Sequence, residues 1–185
     1  MRVFKDAITG DEMFSDSHMP RLIDDVIYEV NAKFTTITNS VDSRLIGANP
    51  SGEGEGAEEV SDTAERVIDL VHGSRLVSTQ FDKQSFRTYL KGYLKNIKER
   101  LSRENPERAS IFENNVKGYL ANVLKNLDDY EYFTGESMNP DGMVVLMNYR
   151  EDGMTPYFVF FKDGLTEEKY DSRMTDARDE ILNKI

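Results

Sequence analysis

The feature that most constrains this chain is a change of period at its centre. Phe86, Tyr89, Leu90, Tyr93, Leu94, Ile97 and Leu101 recur at helical spacing, and after Pro106 so do Phe112, Val116, Tyr119, Leu120, Val123, Leu124 and Leu127. Between them stands ENPER, where Asn105 suits an N-cap and proline suits the first helical position, because its missing N–H would have no partner there. Two apolar stripes joined by so short a connection predict a helical hairpin over about residues 82–127. On either side the period falls to two. Val26, Tyr28 and Val30 alternate with Ile27, Glu29 and Asn31, and DYEYFTGE, MVVLMNY and PYFVFFK are aromatic and β-branched segments separated by NPDG and REDG turns. The latter three predict a meander. Val3 to Asp6 reads as a short strand before a turn at Thr9-Gly10-Asp11, after which DEMFSD enters another structured segment. VIDLV and RLVSTQF are expected to be strands, with order resuming near Val67. Strands before and after a helical hairpin place the chain in the α+β class.

The stretch LIGANPSGEGEGAEE, Leu45 to Glu59, is rich enough in glycine to raise the question of a phosphate loop. Such a loop needs a lysine and a hydroxyl beside its converging amides. Here Glu53, Glu55, Glu58 and Glu59 would repel a polyphosphate and no lysine is present. From Ser51 to Glu65 there are six acidic residues, no basic ones and only Val60 as a sizeable apolar group, so burial cannot offset the entropy of ordering the segment. A mobile acidic loop is expected over about residues 51–65.

Charge and composition exclude several functions. A net charge of -11 argues against nucleic acid or an anionic membrane as the main partner, since phosphate neutralisation requires lysine and arginine. No apolar run approaches the ~20 residues of a membrane span, and MRVFKDAITG lacks the apolar core of a signal peptide, so the cytosol is the expected compartment. The absence of cysteine removes thiolate nucleophiles, cysteine zinc sites and disulfides, so a monomer without disulfide dimerisation is expected. With only His18 and His72, a histidine metal centre or a serine–histidine triad is hard to build, and each histidine reads as an ordinary surface or strand residue. Arg87, Lys91, Lys95 and Lys98 lie four, four and three residues apart and form a basic stripe on the first helix. From Asp82 to Arg108 eight basic residues stand against four acidic ones. This stripe is either a solvated face or a surface for an acidic partner.

Four stretches together resemble the translationally controlled tumour protein family, also called histamine-releasing factor: DEMFSD, LIGANPSGEG, the hairpin with its PERA turn, and YFTGESMNPDGMVVLMNYREDGMTPYFVFFKDG. The resemblance spans Met1 to about Tyr170, read as a single domain, and implies a β-tent of small, mostly antiparallel sheets with a projecting two-helix hairpin. Residues 171–185, DSRMTDARDEILNKI, fall beyond it and read as a frayed or added tail, with Met174, Ala177, Ile181 and Leu182 on one helical stripe. Where relatives end at a cysteine implicated in covalent dimerisation this chain has Tyr170, and where some relatives carry a proposed kinase-target serine before LIG it has Arg44, with Ser43 adjacent.

The resemblance implies a non-enzymatic protein of many partners that regulates growth and translation. Glu12 and Glu136 match the face proposed to engage small GTPases of the Rheb or Rab type, with guanine-nucleotide-exchange-assisting activity as an open extension. Arg21, Ile23 and Asp25 match a helix proposed to enter the groove of anti-apoptotic proteins. The residues themselves favour another reading: Pro20 limits helix upstream, and Leu22, Ile23, Val26 and Ile27 read as core. Arg87, Lys91, Lys95 and Lys98 match proposed contacts with tubulin, hence microtubules, and with translation elongation factors. Asn49 and Glu131 match suggested calcium contacts, although no EF-hand spacing occurs and the ion would be weakly held. No cofactor is required. The alternative function is a microtubule-associated, weakly calcium-binding, chaperone-like or anti-apoptotic protein working through the hairpin or residues 18–29. Cytoplasmic location, with nuclear presence and non-classical secretion, follows the family pattern. The β-tent is also similar to methionine sulfoxide reductases, whose chemistry needs the cysteine this chain lacks.

Overall fold

A computed structural model of the chain describes residues 1–38 and 64–170. The expected tail at 171–185, Asn49, and the acidic loop as far as residue 63 lie outside the described residues.

Among the described residues the architecture is α+β, with three antiparallel sheets. Its elements run β1 (Arg2–Asp6), β2 (Glu12–Ser15), β3 (Pro20–Ile23), β4 (Ile27–Asn31), β5 (Phe34–Thr38), β6 (Ala64–Ile68), α1 (Asp69–Ser74), β7 (Val77–Thr79), α2 (Lys83–Glu104), α3 (Pro106–Lys125), β8 (Glu131–Thr134), β9 (Val145–Tyr149), β10 (Pro156–Phe161) and β11 (Leu165–Lys169). The largest sheet has the order β3-β4-β10-β9-β8-β7, the second β11-β1-β2, and β5 pairs β6 alone. The expected meander is thus β8-β9-β10, adjacent in sequence and in the sheet, with β4 added on its far side.

Strand β10 shows why its sequence is apolar without alternation. Phe158, Val159, Phe160 and Phe161 are all buried, because both faces of the strand are covered. Phe160 meets Phe14 of the three-stranded sheet at 4.7 Å between ring centroids, and Phe161, pointing the opposite way, meets Tyr93 of α2 at 5.4 Å. The hairpin therefore lies along the large sheet. Its buried stripe is Phe86, Leu90, Tyr93 and Ile97 on α2 and Ala109, Phe112, Val116, Leu120 and Val123 on α3. Asp82 caps α2 by accepting from the Ser85 amide, and Asn105 caps α3 by accepting from the Arg108 amide, with Pro106 opening the helix.

Three expectations need correction. VIDLV is not a strand throughout: Val67 and Ile68 end β6, and Asp69 to Ser74 form α1. Asp69 decides this, since its Oδ1 accepts the Lys33 and Leu70 amides at 3.0 and 2.8 Å and its Oδ2 meets His18 Nε2 at 3.0 Å. Those contacts override the β propensity of the valines. Order begins earlier than Val67, because Ala64 and Glu65 already pair with Thr38 and Ile37. The segment holding Arg21, Ile23 and Asp25 is not a helix. Pro20 to Ile23 is an edge strand paired with β4, and Asp24 and Asp25 turn the chain with φ of 51° and 61°. Arg108 and Asn115 of α3 bind that turn in place. Val26 and Ile27 are fully buried as expected, whereas Leu22 is 46% exposed, because on an edge strand its outward face has nothing to pack against.

Candidate functional site

Glu12 opens β2 after a turn that the sequence builds from its own short polar side chains. Asp6 Oδ1 accepts the Ile8 amide at 2.9 Å, Thr9 Oγ1 accepts the Asp11 amide at 3.1 Å, and Gly10 takes a φ of 78°. Asp6 is only 2% exposed, and its Oδ2 accepts the Met143 amide at 2.7 Å. Asp11 reaches the same long loop at its other end: its Oδ2 accepts from the Ser137 hydroxyl at 2.5 Å and from the Ser137 amide at 3.3 Å. Two carboxylates thus fasten the β1–β2 turn to the loop between β8 and β9. Glu12 and Glu136 are the chain neighbours of Asp11 and Ser137, so this contact joins the start of β2 to the β8–β9 loop, and both glutamates are exposed. Glu136 is also paired with Arg75 Nη1 at 3.1 Å. Asp6, Asp11 and Arg75 were invisible as site residues in the sequence. The Thr9-Gly10-Asp11 turn marked where Asp11 sits, but nothing local marked its partner 126 positions away.

The basic stripe exists as expected, with Arg87, Lys91, Lys95 and Lys98 exposed along α2. Lys98 pairs with Glu113 of α3 at 2.8 Å, and Lys95 only approaches Glu99, at 4.0 Å. Arg87 and Lys91 meet no carboxylate within 4.0 Å among the described residues. They border a groove of about 580 Å3 between the helices, floored by Leu90, Leu94, Leu120 and Leu124, with Lys117 on its α3 side. Sequence periodicity found the α2 cations and missed Lys117, since its membership depends on how the two helices cross.

Arg21, Ile23 and Asp25 are separated in role by the strand and turn that hold them. Asp25 accepts from Arg108 and from Lys162 Nζ at 3.1 Å, and Arg108 also grips Asp163 through Nε and Nη2 at 2.7 and 2.8 Å. Its hydrogen bond from Lys162, with the Arg108 charge behind it, holds the Asp25 carboxyl below the usual carboxylate range. Nearby, Glu29 accepts from Tyr119 of α3 at 2.7 Å and from Arg150 at 2.6 Å. Burial and that carboxylate push the Tyr119 phenol well above its ordinary value. These groups join the hairpin to the sheet.

Glu131 is exposed at the start of β8. Among the described residues no three histidine, aspartate or glutamate side chains are placed to share a metal ion. Glu131 by itself supplies a small part of the six to eight oxygens calcium takes. No described helix is long and apolar enough to cross a membrane.

A family model described as translationally controlled tumour protein matches residues 1–166. The translationally controlled tumour protein homologue of Schistosoma japonicum is 74% identical over 170 residues, covering 92% of this chain and all of that one. Among solved structures, the translationally controlled tumour-associated protein of Schizosaccharomyces pombe superposes with a TM-score of 0.78 at 48% identity, covering 92% of this chain and 100% of its own. The Caenorhabditis elegans translationally controlled tumour protein does so with a TM-score of 0.67 at 31% identity, covering 93% and 100%.

Proposed function

Because the chain belongs to the translationally controlled tumour protein family, we propose that it is a non-enzymatic, multi-partner regulator of growth and translation that binds small GTPases of the Rheb or Rab type and translation elongation factors. The observation that supports this reading is the Asp11–Ser137 hydrogen bond, which joins the segments bearing the exposed Glu12 and Glu136. An exposed carboxylate there competes for the lysine or magnesium that otherwise holds a nucleotide phosphate, which is how such a surface favours an emptied GTPase and assists exchange without chemistry of its own. The protein works as a monomer in the cytoplasm, with nuclear and secreted pools, and requires no cofactor. Titration of a nucleotide-stripped GTPase into wild type and Glu12→Val tests the reading. The variant is expected to bind at least about tenfold more weakly, ~1.4 kcal/mol, and equal affinities would remove Glu12 from the account.

A second reading is favoured by two cations on α2 that meet no carboxylate among the described residues. Arg87 and Lys91, beside a leucine-floored groove in an acidic protein, suit an acidic partner such as the surface of a microtubule or an elongation factor. A weak calcium contact at Asn49 and Glu131, and chaperone-like or anti-apoptotic roles, belong to this reading. Use of Arg21, Ile23 and Asp25 as a groove-binding helix requires β3 to leave β4 and Asp25 to leave Arg108, so it demands refolding of that segment.

A further inference from the structure

The outer seam of the helical hairpin is concave. The groove of about 580 Å3 between α2 and α3 continues into a second hollow of about 270 Å3, and Leu94 and Lys117 line both. On α2 the two run from Gln84 to Lys98, which is about 21 Å of helix. Leu90 and Leu120 are buried beneath the seam, whereas Leu94 and Leu124 are only half-buried and leave apolar surface open to it. Charge is unequal along its length. Towards the connection between the helices, Lys98 and Lys117 both approach Glu113, at 2.8 and 3.8 Å. Arg87 and Lys91, nearer the start of α2, meet no carboxylate within 4.0 Å among the described residues, and no acidic side chain among them lines the larger groove.

We infer that this groove is a binding site for a long-chain fatty acid, its carboxylate held by Arg87 and Lys91 and its acyl chain laid along the leucine floor. Several hundred cubic ångströms of apolar hollow with a few charged groups at one edge are the makeup of a small-molecule site. The backbone groups of both helices are spent on their own hydrogen bonds, so the groove offers an occupant apolar contact and side-chain charge and little else. An acyl carboxylate asks for just those two things. The guanidinium of Arg87 can give a carboxylate two parallel N–H bonds, and Lys91, one helical turn further on, adds a second charge on the same side. The net charge of -11 does not oppose this, because acids more than about 8 Å away are largely screened at physiological salt. A small-molecule occupant is independent of the GTPase face and of the acidic partners considered for the stripe, and the Glu12 titration and microtubule co-sedimentation decide those separately.

The test titrates octanoate, decanoate and laurate into the full chain by calorimetry at concentrations up to about 1 mM. Saturable one-to-one binding is expected, tightening about threefold or more for every two methylenes added, since each buried methylene contributes. Absence of saturation for laurate overturns the site. Decanol, which matches decanoate in length and lacks its charge, is expected to bind at least about tenfold more weakly, and equal affinities overturn the role of the cations. Decyl phosphate binding at least about tenfold more tightly than decanoate overturns the carboxylate as the preferred head group. Arg87→Glu is expected to weaken laurate at least about tenfold, while Lys169→Glu, the same charge reversal at an exposed position outside the groove, stays within about twofold of wild type. Equal loss in both is an effect of net charge and overturns the site. Ala121→Trp fills the groove from an exposed position without touching the buried leucines, so it is expected to abolish laurate binding with the melting temperature kept. Undiminished binding by that variant places laurate elsewhere and overturns the groove as its site.

Discussion

Gly135 has no side chain because Asp11 already fills the space where one would go. A Cβ built there would lie 2.4 Å from Asp11 Oδ2 and 2.6 Å from Asp11 Cβ, and the second of these is too close to the backbone to swing aside. Gly135→Ala is therefore expected to destabilise the fold by about 2 kcal/mol, as overpacking does, and to weaken GTPase binding by loosening the Asp11–Ser137 tie. Denaturant unfolding and the titration described above measure the two effects, and an unchanged unfolding midpoint would contradict the steric account. Tyr89 teaches the same lesson from the core side. Its hydroxyl donates to the Gly142 carbonyl at 2.6 Å and accepts the Val144 amide at 2.9 Å, so a residue legible only as one more position on an apolar stripe also pins the loop between β8 and β9. Burial pushes its phenol well above the ordinary value.

At the scale of elements, the hairpin was the most legible part of the chain, and its attachment the least. Helical period, the Asn105 cap and Pro106 are all local and stand where they were expected, while the Asp82 cap, equally local, was not read from the sequence. Arg108, two residues into α3, reaches residues 83 and 55 positions away to hold the β3–β4 turn and the turn after β10. With Arg108 15% exposed and Asp163 7%, removing the arginine strands a nearly buried carboxylate. Arg108→Ala is expected to cost about 3 kcal/mol at neutral pH. Part of that cost is pH-dependent. The folded-state pKa of Asp25 is depressed, so its contribution is fully present above the unfolded carboxyl value of about 4 and is lost as pH falls through the lower folded value. The stability gap between wild type and Arg108→Ala should consequently narrow in acid, and a gap that widens below about pH 4 would contradict this assignment.

Across the whole molecule, charge is distributed unevenly. The chain carries -11, yet α2 presents Arg87, Lys91, Lys95 and Lys98 on one side, with Lys117 joining from α3 across the groove. Such a patch raises encounter rates with acidic surfaces and is weakened by salt. Replacing Lys91 and Lys95 together by glutamate is expected to remove most co-sedimentation with microtubules while leaving the Glu12 titration unchanged, because the two surfaces share no residue. Equal pelleting of variant and wild type would remove the stripe from the second reading.

By itself the sequence determined the α+β class, the hairpin with its Asn105 cap, the β8-β9-β10 meander and the turn at Gly10, all of which are written in spacings of a few residues. It also placed the family resemblance. The tertiary structure alone decided that Asp69 begins a helix inside a β-prone run, that Pro20 to Ile23 is an edge strand leaving Leu22 exposed, and that the segments bearing Glu12 and Glu136 are joined. The physical reason is common to all three. Each outcome depends on hydrogen bonds or packing between residues remote in the chain, Asp69 with Lys33 and His18, Asp25 with Arg108, Asp11 with Ser137, and such contacts leave no periodic trace in the order of the amino acids.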